Sequence, residues 1–145
     1  MSEVNIFCNS QEYHINKKNL KHYCQEILSY NKYNLYSVSL IFIDDEELKE
    51  MKNLYFKKNL YTDVIAFNLN NENETLDGEL YLSIKTIEQN SKLYNASLEQ
   101  EIKRVVAHGI LHLIGYEDNT DYNKQKMTKQ EDKLIELFKD IKLIC

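Results

Sequence analysis

Two histidines four residues apart, on an apolar stretch closed by a glycine, constrain this chain more than any other feature. The stretch is HGILHLIGYED, residues 108–118. On a helix, positions four apart lie on the same face with Cβ atoms roughly 5–6 Å from each other, so His108 and His112 can share one cation. The segment from Leu98 to Ile114 that carries them has Ile102, Val105, Val106, Leu111 and Leu113 along it. Such a helix is expected to run through the core of its domain, with the histidine pair near its end. Gly115, three residues after His112, can adopt the left-handed conformation that stops a helix and turns the chain back.

Zinc usually takes four ligands in a tetrahedron, and a catalytic site supplies three from the protein, leaving the fourth position open. Asp118 is well placed to be the third once the chain has turned at Gly115. The spacing is that of the long metalloprotease motifs, with one departure. Where those motifs put a glutamate general base, right after the first histidine, this chain has Gly109. Two other readings stay open, a closed structural zinc site and a metal-free pair of core histidines. No cysteine lies near enough in sequence to suggest a four-ligand cage, and the expected site is an open one. A cation so held lowers the pKa of water from 15.7 toward about 7 and polarises a phosphoryl oxygen. The pattern identifies no general base.

HGILHLIGYED resembles the signature of the YbeY family, single-strand-specific, metal-dependent endoribonucleases of bacterial rRNA maturation, whose pattern is H-G-x-L-H-L-x-G-Y-D-H. Its first nine positions fit; Glu117 stands for the Asp and Asp118 for the last His. Farther upstream, Thr62, Asp63, Val64, Phe67, Gly78 and Ser83 match a second family stretch, T-D-V-L-S-F followed by G-D-I-x-I-S, with Glu79 for its Asp. Phe56 stands where the family often has an arginine, and Tyr61 where it has a proline. Lys57 and Lys58 are candidates to carry the missing charge, though lysine lacks the bidentate fork with which arginine grips phosphate.

The chain has 145 residues, enough for one domain, and no repeat or linker suggests two, so 1–145 is taken as a single unit. No apolar run approaches the ~18–20 residues of a membrane span. The N-terminus lacks a basic stretch followed by an apolar core, which points to the cytoplasm. Cys8, Cys24 and Cys145 are odd in number and widely separated, as suits a reducing compartment. A net charge of −5 argues against a general nucleic-acid binder and requires any RNA contact to be local.

In chain order, alternating Val4, Ile6 and Cys8 predict a strand over 3–9, edge or second in its sheet. Leu20, Tyr23, Cys24, Ile27 and Leu28 predict an amphipathic helix over 16–30, whose Lys17, Lys18 and Lys21 form a solvated face or an RNA-facing patch. Residues 35–43 predict a central strand, and Asp44 or Asp45 caps a helix through Tyr55. A strand around Val64, Ile65 and Phe67, a polar loop over 70–77 and a strand over 78–83 suggest a hairpin with an extended tip. Helices follow over 84–95, 98–114 and 121–144. The expected fold is α+β, about four strands in a mixed sheet with packed helices and the metal site at the end of the core helix. His14 and His22 are expected on the surface.

The residues supply the metal chemistry and the resemblance supplies the substrate. Together they predict a metal-dependent endoribonuclease acting on single-stranded RNA, with zinc held by His108, His112 and Asp118. Arg104, Lys57 and Lys58 would offset charge on phosphate, unless Arg104 pairs with Glu101 or another acid. A ribosomal subunit or ribosome-associated protein is the expected partner; neither DNA nor a membrane is expected. The rival readings are a ribosome-assembly scaffold with a structural metal and a zinc peptidase. Gly109 weakens the peptidase, because a catalytic glutamate contributes about 10²–10⁴-fold.

Overall fold

The structure is a computed structural model that describes residues 2–8, 14–69 and 75–145. Its elements run β1 (Glu3–Cys8), α1 (Lys17–Tyr30), β2 (Tyr36–Phe42), α2 (Asp45–Phe56), β3 (Val64–Asn68), β4 (Leu76–Leu82), α3 (Ile84–Leu93), α4 (Leu98–Leu113) and α5 (Asp121–Leu137). The sheet order is β1-β2-β4-β3, with β1, β2 and β4 parallel and β3 antiparallel to β4. This is the mixed four-stranded α+β domain expected, with β1 at an edge and β2 central.

Side-chain alternation explains which face the helices cover. Tyr36, Val38, Leu40 and Phe42 of β2 are buried, as are Leu76, Gly78, Leu80 and Leu82 of β4, while the residues between them are half-buried. The buried face meets α1 and α4. α4 packs on β3, β4, α1, α3 and α5, and Ile102, Val105, Val106, Ala107, Ile110 and Leu111 on it are all at most 3% exposed. Its start is fixed by a capping box, in which Ser97 accepts from the Gln100 N–H at 3.1 Å and the Gln100 side chain accepts from the Ser97 N–H at 3.0 Å. Its last turn lies so close to the sheet that a Cβ on Gly78 would sit 2.7 Å from Leu113 Cδ2. Any side chain there would have to push Leu113 aside.

Three boundaries differ from expectation by two residues or more. β4 begins at Leu76, because the Leu76 N–H bonds to Leu35 O at 3.0 Å and the Leu69 N–H to Asp77 O at 2.8 Å. The polar loop is correspondingly shorter, and the hairpin tip, 70–74, falls outside the described residues. α3 stops at Leu93, with Asn95 left-handed at φ 58°. α5 stops at Leu137 rather than Ile144. Phe138, Ile141 and Ile144 are half-buried and Leu143 is buried, but residues 138–140 form a turn and Ile144 then pairs with Ile15 in an isolated bridge. The Leu143 and Ile144 N–H groups donate to the Glu99 carboxylate at 2.7 and 3.0 Å, and the Asn16 N–H bonds to Leu143 O at 2.8 Å.

Candidate metal centre

The helix stop assembles the site. Gly115 has φ +111°, its N–H donates to His112 O at 3.2 Å, and the Tyr116 N–H donates to Leu111 O at 2.9 Å. This is a Schellman turn, and glycine is the residue that tolerates it. The turn swings Tyr116 O back beneath His112 and carries Asp118 over the histidine pair.

His108 Nε2 and His112 Nε2 are 3.1 Å apart, and Asp118 Oδ2 is 3.5 Å from the first and 3.4 Å from the second. Three ligands on a tetrahedral cation at about 2.0–2.1 Å would be separated by roughly 3.3 Å, so the donor set fits the cation its chemistry implies. The other ring nitrogens settle the tautomers. His112 Nδ1 faces the Tyr116 carbonyl at 3.1 Å and His108 Nδ1 faces Glu131 Oε2 at 2.6 Å. A carbonyl and a carboxylate accept, so each Nδ1 donates, and a ring without a second proton offers its Nε2 lone pair toward the other. Two lone pairs and a carboxylate oxygen at such distances repel one another unless positive charge lies among them. Both imidazoles are 29% exposed and Asp118 44%, so the point they converge on is open to solvent.

Glu131, from the middle of α5, is only 5% exposed. It accepts from His108 Nδ1 with one oxygen and from Arg104 Nη1, at 2.9 Å, with the other. Arg104 Nη2 bonds to Asp132 Oδ1 at 2.7 Å. The acids that engage Arg104 are therefore Glu131 and Asp132, not the Glu101 one turn before it. Burial pulls the His108 pKa down, but the hydrogen bond and charge of Glu131, with Asp118 and Asp63, leave it above the ordinary value. A proton and a cation compete for this ring.

A cleft of about 620 Å³ opens on the triad. β3 contributes Val64, Ile65, Ala66 and Asn68, and the Asn68 side-chain amide donates to Leu113 O at 3.0 Å, tying β3 to the end of α4. Lys52 and Phe56 of α2 also line the cleft. Lys57 and Lys58 do not line it; they sit on the exposed loop after α2, where Lys57 is left-handed at φ 55°. Asp63 lines it as well, and burial raises its carboxyl pKa while His108 opposes the shift. His14 and His22 are exposed, as expected. Sequence reasoning gave no role to Glu131, Lys52 or Asp63. For Glu131 a signal existed, since it falls four residues after Met127 and three before Leu134, a charge on the buried stripe of α5.

Among the described residues, His108, His112 and Asp118 form the group able to hold a metal ion, so fold and site define an α+β domain whose candidate metal ligands face an open cleft. The profile of the family described as Endoribonuclease YbeY matches residues 5–139. A protein named Endoribonuclease YbeY from Karelsulcia muelleri (strain GWSS) is 43% identical over 108 residues, 74% of this chain and 75% of that one. Its namesake from Christiangramia forsetii is 33% identical over 137 residues, 94% of each. The solution structure of TM1509 from Thermotoga maritima superposes with a TM-score of 0.66 at 29% identity, covering 93% of this chain and 88% of that one. The chain belongs to the Endoribonuclease YbeY family.

Proposed function

We propose that this protein is a metal-dependent endoribonuclease that cuts single-stranded RNA in the maturation of small-subunit rRNA. In this reading it works in the cytoplasm, with a ribosomal subunit or ribosome-associated proteins as partners. No helix among the described residues is long and apolar enough to cross a membrane. The observation that carries the chemistry is the convergence of His108 Nε2, His112 Nε2 and Asp118 Oδ2 on one solvent-open point of a cleft. Family membership carries the substrate.

Two imidazoles and one carboxylate suit zinc, and such a cation supplies Lewis acidity, easing deprotonation of water and drawing charge from a phosphoryl oxygen. The protein's own work is orientation. Glu131 and the Tyr116 carbonyl hold the two rings with their Nε2 atoms converging, which is the usual support for ligating histidines. Arg104 neutralises Glu131 and Asp132 and so steadies that support from behind; its contact with substrate, where it makes one, is at the α5 edge of the site. Lys52 brings a cation into the cleft for phosphate. Lys57 and Lys58 meet flanking phosphates in this reading.

A Cβ on Gly109 would meet Leu80 Cδ1 and Cδ2 at 3.0 Å and Val64 Cγ2 at 3.4 Å, so position 109 faces the sheet. A glutamate there would have to displace Leu80, which weighs against the peptidase reading. The test combines elemental analysis with cleavage of an unstructured RNA and of its duplex, each with and without chelator. Bound zinc with chelator-sensitive cleavage of the single strand is the expected result. Bound metal with no chelator-sensitive cleavage would overturn the nuclease reading in favour of a scaffold with a structural metal.

A further inference from the structure

One aromatic ring of α2 lines the cleft. Phe56, the last residue of α2, is 42% exposed and lines the same cleft as the metal triad. Phe67 of β3 backs it, with ring centroids 6.0 Å apart at an angle of 31°. Phe67 is itself wedged edge-on between Tyr55 at 5.3 Å and Tyr81 at 5.8 Å. A ring so supported keeps its position without being buried. Lys52, one helical turn earlier on the same face, puts its ammonium 4.8 Å from the Phe56 centroid, and it too lines the cleft. A flat apolar surface, a cation beside it and a candidate metal site, all lining one cleft, match the parts of one nucleotide unit, a base, its phosphate and the next scissile bond.

We propose that Phe56 is a stacking platform for an unpaired nucleobase and that Lys52, displaced from the ring by the base, takes the adjoining phosphate. The inference rests on the endoribonuclease reading and adds a residue that selects the substrate. Aromatic stacking tolerates any base, because every base has a π-face. It also refuses a duplex, where both faces of each base are already stacked on neighbours. In this chain, preference for single strands is therefore written into the α2 wall, at the position where the family often has an arginine.

The test uses the metal-loaded protein for cleavage and the metal-stripped protein for binding. Phe56→Leu keeps the apolar volume and removes the π-face; α2 buries only Leu48, so the fold does not depend on this ring. With a single-stranded RNA carrying 2-aminopurine, the parent should quench the probe and Phe56→Leu should not. KM for single-stranded RNA should rise roughly tenfold in the variant with kcat little changed, and Phe56→Trp should restore both readouts. An RNA with an abasic position should lose affinity for the parent and not for Phe56→Leu. Quenching and KM equal in parent and Phe56→Leu, with cleavage intact, would overturn the platform and leave the nuclease reading standing. Quenching that depends on Phe56 without any cleavage would uphold the platform and sink the nuclease reading. An RNA that is neither bound nor cut overturns both.

Discussion

The cleft has two walls of opposite character. α4 touches five other elements and buries ten of its sixteen residues, whereas α2 buries only Leu48 and exposes Leu54, Tyr55 and Phe56. Two of the three candidate metal ligands, His108 and His112, are on the first wall. The groups proposed to meet RNA are on the second. Packing density thus divides the labour, since close-packed interiors fix side chains in one rotamer while sparsely packed elements open at low cost.

The sharpest way to break this contrast is to remove a ligand from the rigid wall. His108→Ala or His112→Ala should abolish stoichiometric zinc, measured by elemental analysis of purified protein, because two remaining donors cannot restore the site; near-stoichiometric zinc in either variant would rule out the triad. The next test is of the packing itself. Gly109→Glu should cost about 3 kcal/mol or more in chemical denaturation, since it forces a carboxylate against Leu80 at the sheet. Stability equal to the parent would mean that α4 is not seated as described.

A smaller effect is expected behind the ligands. Glu131→Gln keeps an acceptor for His108 Nδ1 and removes the charge, so zinc affinity should fall about 10–100-fold in competition with a chelator. Unchanged affinity would confine Glu131 to anchoring Arg104. The smallest effect concerns Glu101, which is 6% exposed and whose pKa is raised by burial, with Asp63 adding to the rise. A carboxyl whose folded pKa lies above its unfolded value stabilises the fold below that unfolded value, near 4.5, and loses this contribution as pH rises through the folded pKa. Glu101→Gln should therefore be more stable than the parent at neutral pH, with the two melting curves converging as the pH falls below 4.5. A gap that persists or widens in acid would reverse the assignment.

Much of the rigid wall was legible in the sequence, because its determinants are local. The apolar spacing of 98–114, the histidines four apart and the glycine three beyond are all read within a few turns of one helix, and the Schellman turn at Gly115 followed from them. The partners that complete the wall were not legible. Glu131 is 23 residues from His108, and only the packing of α5 on α4 decides that it, and not Glu101, meets the arginine and the imidazole. The end of α5 was missed for a related reason. Phe138, Ile141 and Ile144 keep a helix-like spacing, but Glu99, far back in the chain, draws the backbone of 143 and 144 into an extended path. On the soft wall, the cations next in sequence to Phe56 are Lys57 and Lys58. Helical geometry favours Lys52, four residues earlier on the face of Phe56, whereas Lys57 already lies past the helix end.

Gly109 bears finally on what such a scaffold can become. Peptide-cutting enzymes with the same histidine spacing differ from this chain first at that one position, so a single codon change would seem to bridge the two chemistries. The 3.0 Å approach to the Leu80 methyls stands against that route, because Leu80 would have to give way by a few tenths of an ångström for any side chain at 109. A glutamate there would start beside Leu80 and Val64, and its carboxylate would have to leave apolar surroundings to reach a cation. Kinship in motif spacing here is not proximity in mutational distance. In this chain, the helix-to-sheet contact beneath the histidines is what stands between the two chemistries.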